Sequence, residues 1–112
     1  MSVSFHIRLP DPATARGADP ALSFSANGAD AFAEQLQDAL REPRLFEHWR
    51  AGQPDPDAVD PSLGATDPDA RVSGSQHDLH IDLIATTVLP GELLRQRLRL
   101  LAGNGWELRN VS

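Results

Sequence analysis

Hydrophobic and polar residues alternate along two long stretches of the chain. Apolar side chains occupy every second position between Ser2 and Leu9, and the same period returns between His77 and Val88. Successive side chains of a strand point to opposite faces of a sheet, so both stretches are predicted to be half-buried strands. A shorter alternation at 22–26 predicts a third strand, paired with the first in a hairpin that has a long, irregular loop.

A second period, close to that of the α-helix, marks two amphipathic helices. The first follows Asn27, a good N-cap, and is expected to end or kink at Pro43, which lacks a backbone donor. The second runs roughly from Pro90 to Ala102, and a glycine-rich turn then leads to a final strand that opens on Trp106. The apolar positions with helical spacing are Phe32, Leu36, Leu40, Leu94, Leu98 and Leu101.

Residues 101–108, with the sequence Leu-Ala-Gly-Asn-Gly-Trp-Glu-Leu, and the following Val111 resemble the end of a small bacterial domain family of unknown function. Domains of that family run strand, helix, Gly-Trp-Glu-Leu and a closing strand. The resemblance covers residues 77–111, and it implies a fold but no activity.

Together these elements predict an α+β two-layer sandwich. Two main helices would cover one face of a mostly antiparallel sheet of roughly three to five strands. The nearest common topology is ferredoxin-like, with the hairpin over 3–26 as a departure. Arg71–Gly74 is expected to begin the long strand, with a bulge near Gly74. The predicted core is Val3, Phe5, Ile7, Phe32, Leu36, Leu40, Leu79, Ile81, Leu83, Leu94, Leu98, Leu101, Trp106 and Leu108.

Proline and aspartate dominate the middle of the chain, where Asp-Pro-Asp-Ala occurs at 55–58 and again at 67–70. This stretch has few large apolar residues, and burying them cannot offset the conformational entropy that ordering the chain would cost. Residues 52–70 are therefore predicted to be a flexible acidic loop within a single domain, 1–112. Asp55, Asp57 and Asp60 resemble the oxygen ligands of calcium loops, but the required glycine and terminal glutamate are missing. A solvated linker is the favoured interpretation.

Composition narrows the class of protein. The 112 residues suit one domain, and the absence of cysteine excludes disulfides and thiolate metal sites. The charge of −6 disfavours nucleic-acid binding and favours a basic protein partner. No apolar run approaches the roughly 20 residues that cross a bilayer, and no signal-peptide pattern is present, so we expect a cytoplasmic protein with no membrane contact. All the basic residues are arginine, which is typical of a GC-rich bacterial genome.

Histidine and aspartate gather at the start of the second long strand. Asp78, His80 and Asp82 share one face of that strand, and His77 points away. His6 joins them if the first strand lies alongside. Such a set could bind a divalent metal or supply a base. A solvated polar sheet face is the simpler interpretation.

Aromatic and arginine residues offer a second set of candidates. Phe46 and Trp49 form either a recognition patch or part of the core. Arg95 and Arg99 lie four residues apart on one side of the last helix, and Arg97 is also assigned to its wet surface. A guanidinium pair of this kind could bind an acidic peptide or a phosphate, or could simply be solvated.

No nucleophile elbow, phosphate-binding glycine loop or dinucleotide motif occurs in the sequence, and no cofactor is expected. The sequence therefore favours a small, acidic, non-enzymatic protein–protein interaction module (an adaptor, accessory or inhibitor-like protein). It would bind another protein or itself through its sheet edges and the Trp49 region. The alternative is a ligand- or metal-binding, enzyme-like domain that uses His6, Asp78, His80 and Asp82. A third hypothesis, nucleic-acid binding through the arginine-rich helix, is opposed by the net charge.

Overall fold

The computed structural model describes residues 2–112. Over this range the chain forms four strands and three α-helices, with short 3-10 turns at Pro12–Thr14, Pro56–Ala58 and Pro61–Gly64. The strands are β1 (Val3–Leu9), β2 (Arg71–His77), β3 (His80–Thr87) and β4 (Glu107–Val111). The helices are α1 (Ala29–Arg41), α2 (Arg44–Ala51) and α3 (Gly91–Ala102).

The strands form one antiparallel sheet in the order β2-β3-β1-β4. Across the central ladder Phe5 is opposite Ala85, and Ile7 is opposite Leu83. With α1 and α2 between β1 and β2, and α3 between β3 and β4, the connectivity is ferredoxin-like. The predicted α+β class, with helices packed on an antiparallel sheet, is confirmed.

The two-residue period of β1 and β3 decides which sheet face is buried. Odd-numbered residues such as Ile7 and Leu83 point into the core, which they share with the apolar sides of α1 and α3. α1 lies over β2 and β3 and contacts α3. The even-numbered residues of β1 and β3 point to the opposite surface, which we call the polar sheet face; His6 and Asp82 lie on it.

The predicted long strand is wrong, because two strands and a tight turn occupy its place. β2 ends at His77, Asp78 adopts a φ of 50°, and β3 begins at His80. The two-residue turn inverts the odd–even phase, so even-numbered residues of β2 such as Gly74 share the core face with odd-numbered residues of β3 such as Leu83. Leu79, predicted to be in the core, is 86% exposed at the tip of this hairpin.

Gly74 does not produce a bulge either, because β2 pairs with β3 without a register shift. A Cβ atom on Gly74 would lie 2.4 Å from the carbonyl oxygen of Ala29. The missing side chain therefore allows the start of α1 to lie against β2.

The predicted strand at 22–26, and with it the hairpin to β1, is also wrong. Leu22, Phe24 and Ala26 are buried, as the alternation indicates, but Leu22 lies in a turn and none of the three belongs to the sheet. The amide of Phe24 donates to the carbonyl of Leu101 at 2.8 Å, so the segment follows the end of α3. Asn27 is not the N-cap of α1; Gly28 takes that position without a side-chain cap.

Four further residues depart from their predicted environment. Val3 is partly exposed at the end of the sheet, and Trp106 and Leu108 are only partly buried. Arg97, assigned to the wet surface, is fully buried. Its guanidinium donates to the carbonyls of Leu63 and Ala65, which ties the proline-rich segment to α3.

The same C-terminal part of the proline-rich segment is further anchored through Asp67. This buried carboxylate accepts hydrogen bonds from the Thr87 hydroxyl at 2.8 Å and the Val88 amide at 3.0 Å. The predicted flexibility of residues 52–70 concerns motion and stays a prediction. Any such motion must leave the contacts of Leu63, Ala65 and Asp67 in place or break them.

Candidate functional site

A shallow depression lies where the ends of α2 and α3 meet the segment before Phe24, and we call it the Trp49 groove. Its lining residues are Ala18, Asp19, Leu22, Trp49, Gln53, Arg99 and Leu100. Most of these contribute apolar surface, and the charged groups are Asp19 and Arg99. The groove combines a large aromatic ring, aliphatic side chains and a cation.

The backbone explains why Trp49 reaches this position. α1 ends at Arg41, and Pro43 directly precedes α2, which carries Trp49. The Trp49 ring packs against Phe46 at a centroid distance of 5.8 Å. Phe46 itself is buried against Gly64, where even a Cβ atom would lie 2.7 Å from the ring. Trp49 is therefore supported from beneath and half-buried.

The opposite wall of the groove is fixed by backbone hydrogen bonds. The amides of Gly17 and Phe24 both donate to the carbonyl of Leu101, at 3.1 and 2.8 Å. These bonds hold the segment that carries Asp19 and Leu22 against the end of α3. The groove is thus built before any partner arrives, which lowers the entropic cost of binding.

The cations beside the groove are free of ion pairs. Arg95 and Arg99 are both exposed, and within residues 2–112 neither lies within 4 Å of a carboxylate. The Asp19 carboxylate already accepts a hydrogen bond from the Ala21 amide at 2.9 Å. Arg99 is therefore available to an incoming anionic group.

The four predicted partner-binding residues thus occupy different positions relative to the groove. Trp49 and Arg99, which lie far apart in sequence, line one groove. Arg95 lies one helical turn from Arg99, outside the lining. Phe46 is buried beneath Trp49, so it supports the groove and presents almost no surface of its own.

A second cluster lies on the polar sheet face around Asp82. Arg8 donates its Nε–H to the Asp82 carboxylate at 3.0 Å. The Nε2 atoms of His6, His77 and His80 lie 3.5 to 3.7 Å from the same carboxylate. The rings of His77 and His80 stack at a centroid distance of 5.4 Å. Three of the four histidines in the chain thus converge on one carboxylate.

Two opposing effects act on Asp82. Burial by itself raises the pKa of its carboxyl, while the hydrogen bond and charge of Arg8, with smaller contributions from His80 and His6, lower it. The net direction is downward, so Asp82 is ionised at neutral pH. The cluster is therefore centred on a fixed negative charge that forms an ion pair with Arg8.

The predicted metal set of His6, Asp78, His80 and Asp82 is only partly assembled. Asp78 lies in the exposed hairpin turn, apart from the other three. Among residues 2–112 no group of three or more histidine, cysteine, aspartate or glutamate side chains is arranged to hold a metal ion. The geometry thus gives the metal hypothesis no support.

Sequence reasoning missed two members of this cluster, Arg8 and His77. His77 was expected to point away because a single long strand was assumed. The tight turn instead pairs His77 with His80 across the ladder and turns both toward Asp82. The sequence signal that could have located this turn is Asp78, which lies inside an otherwise regular alternation, because aspartate favours turns.

The sheet edges, also predicted as contact surfaces, are partly capped. On β2 the Val72 amide donates to Gln37, and the Ala70 carbonyl accepts from Arg41. On β4 the pairing with β1 is irregular, and the Val111 amide donates to the Asn110 side chain. Each edge thus has some of its polar groups occupied, and docking of a partner at the sheet edges stays a prediction.

Within residues 2–112 no helix is long and apolar enough to span a membrane. None of the family models compared with the chain matches it, and no curated protein or solved structure matches it either. The resemblance of residues 77–111 to a small bacterial family therefore stays a prediction, and the function must be inferred from the geometry.

Proposed function

We propose that this protein is a non-enzymatic docking module that binds a short protein segment in the Trp49 groove. The segment would carry a large apolar side chain next to a carboxylate. The observation that carries this proposal is the convergence of Trp49 and the unpaired Arg99 on one apolar depression.

Each wall of the groove suits one part of such a segment. Trp and Arg are the residue types most enriched at energetically dominant interface positions. Leu100 and the Trp49 ring, both half-buried, provide a surface for an aliphatic side chain. The Arg99 guanidinium can bind a carboxylate through charge-assisted hydrogen bonds.

The size of the groove sets the expected affinity. Burying one leucine-sized side chain contributes about 1.5–3 kcal/mol, and one charged hydrogen bond contributes about as much. The two contributions add up to at most about 6 kcal/mol, and the cost of association reduces this sum, so we expect a Kd of about 0.1 mM or weaker. This range is typical of a reversible adaptor contact rather than an obligate complex.

The chain's charge of −6 does not oppose an acidic segment. Charges more than about 10 Å apart are largely screened at moderate salt, so the nearest groups decide the contact. Near the groove these are Arg99 and, one helical turn away, Arg95. A partner that is basic overall and carries a local acidic–apolar segment would complement both the negative net charge of the chain and the arginines near the groove.

Selection from a library of short random peptides tests the proposal. We expect the enriched peptides to share a large apolar residue adjacent to aspartate or glutamate. In titrations followed by NMR, the indole N–H signal of Trp49 should shift on binding. The indole of Trp106, which donates to the Gly103 carbonyl, should not move.

Variants then locate the contact. Arg99→Glu and Trp49→Ala should abolish binding of the selected peptides, while Arg71→Glu, a charge reversal on an exposed residue of β2, should leave it unchanged. Peptides without the acidic–apolar pattern, or binding that survives both groove variants, would show that the groove is not the docking site.

A further inference from the structure

We infer that one occupant of the Trp49 groove is a second copy of this chain, which inserts the tip of its β2–β3 hairpin, Asp78–Leu79. This inference rests on the proposed function, because it names the partner of the same groove. It starts from Leu79, the most exposed large hydrophobic side chain among residues 2–112.

The hairpin tip has the chemistry that the groove selects. Leu79 is a large aliphatic side chain in a tight turn, where polar residues are usual. Asp78 precedes it and supplies a carboxylate. Leu79 therefore suits the apolar surface formed by Leu100 and Trp49, and Asp78 suits Arg99.

The tip is also rigid enough to act as a preformed ligand. The Gln76 side chain donates to the carbonyls of Asp78 and His80, at 3.0 and 3.1 Å. The stacked rings of His77 and His80 close the base of the turn. The conformation of Asp78 at φ 50° is one that aspartate tolerates better than most residues. A fixed tip loses little conformational entropy on docking.

The occupant must come from another molecule. Leu79 is 86% exposed, so the tip of a given chain does not fill that chain's own groove. Each copy therefore offers one tip and one groove. Reciprocal docking would form a dimer, and non-reciprocal docking would form a longer assembly.

The acidic segment of a second copy is a weaker candidate for the groove. Asp57 already lies 3.7 Å from Arg50 within its own chain. Its apolar neighbour Val59 is half-buried, so it offers less surface than Leu79. Charge alone would suit Arg99, but charge and apolar surface together favour the hairpin tip.

Sedimentation equilibrium over micromolar to near-millimolar protein tests the inference. We expect the average mass of the natural chain to rise above the monomer value of 12.1 kDa as concentration increases. Added salt should weaken the association, because one of its contacts is an ion pair. Leu79→Asn, which keeps a turn-compatible residue, and Arg99→Glu should each remain monomeric.

A mixing experiment makes the test specific. Leu79→Asn retains an intact groove, and Arg99→Glu retains an intact tip, so an equimolar mixture should associate although neither variant does alone. Ile84→Thr is the matched control, because it removes an exposed aliphatic side chain from β3 without touching tip or groove. Its association should equal that of the natural chain.

Two results would overturn the inference: a natural chain that stays monomeric throughout, or a Leu79→Asn variant that associates normally. If the chain is monomeric while selected peptides still bind at Trp49, the inference fails and the proposed function stands. If no peptide binds and Arg99→Glu leaves association unchanged, the proposed function fails with it.

Discussion

Arg97 on α3 donates a hydrogen bond of 2.8 Å to the carbonyl oxygen of Leu63, far away in the sequence. A second bond, of 2.9 Å, reaches the carbonyl of Ala65. The guanidinium also lies over the Phe46 ring, the support of Trp49. Burial lowers the pKa of Arg97, but a guanidinium stays charged in proteins. One buried cation thus connects α3, the proline-rich segment and the base of the groove.

Arg97→Lys should destabilise the fold by about 1–3 kcal/mol, because a single ammonium at this buried position cannot reproduce both guanidinium bonds to the carbonyls of Leu63 and Ala65. Urea unfolding followed by circular dichroism measures the change. Arg95→Lys, on the exposed side of the same helix, should change stability by less than about 0.5 kcal/mol. Equal losses for both variants would refute a clamping role for Arg97.

Asp67 should make stability depend on pH. The hydrogen bonds from the Val88 amide and the Thr87 hydroxyl lower the pKa of this carboxyl, despite its burial. A lowered folded-state pKa adds stability that is present above the unfolded value of about 4 and is lost as pH falls through the folded value. Asp67→Asn should therefore cost about 1–3 kcal/mol at pH 7, and the difference should narrow in acid.

Urea unfolding at a series of pH values measures this difference, with Asp69→Asn as the neighbouring control. Asp69 is exposed, and only its backbone amide bonds to Asp67, so its variant should follow the natural chain. A difference between Asp67→Asn and the natural chain that stays constant with pH would show that the carboxylate charge is not the source.

Asp82 should respond to salt, in contrast to Asp67. Its main partner is the charged Arg8, and the cluster lies on the polar sheet face, where ions can screen it. Asp82→Asn should cost about 1 kcal/mol at low salt and pH 7 and less in high salt. The lowered pKa of Asp82 means that this contribution also disappears as pH falls below about 4.

Thermal or urea unfolding at two salt concentrations checks this expectation. Glu42→Gln serves as the control, because Glu42 is exposed and its ion pair with Arg44, at 3.6 Å, lies outside the polar sheet face. Its effect should stay below about 0.5 kcal/mol. If salt leaves the cost of Asp82→Asn unchanged, the cluster contributes through packing rather than through its charges.

Gly74→Ala should destabilise the protein by about 1–3 kcal/mol, because the new methyl group meets the Ala29 carbonyl and must push α1 away from the sheet. Gly52→Ala is the matched control, since its Cβ would lie in ordinary contact at 3.5 Å. The denaturant midpoints of the two variants, compared with that of the natural chain, test this prediction. A neutral Gly74→Ala would show that the approach of α1 to β2 is not tight.

Local periodicity accounts for the part of the fold that the sequence predicts correctly. The inner residues of β1 and the apolar stripes of α1 and α3 are buried as expected, because each pattern repeats with the period of its own element. The break at Pro43 was predicted for the same kind of reason, since proline acts on the turn next to it. The buried but unpaired segment at 22–26 shows the limit: alternation reports burial and does not report a ladder partner.

The candidate sites were less predictable, because their members come from distant parts of the chain. Trp49 and Arg99 were both named from composition and spacing, but only packing brings them to one groove. His77 joins the Asp82 cluster because the turn at 78–79, which the odd–even count did not predict, places it beside His80. The same turn moved Leu79 from the expected core to the tip of a hairpin.

The sequence by itself determined the α+β class, the type of most elements and the side of each that avoids water, since these follow from short-range periodicity and from proline chemistry. The tertiary structure alone decided that Arg97 is buried, that Leu79 is exposed and that three histidines meet one aspartate. These outcomes depend on which carbonyls, rings and carboxylates lie nearby after folding, and contacts of that kind leave no periodic trace along the chain.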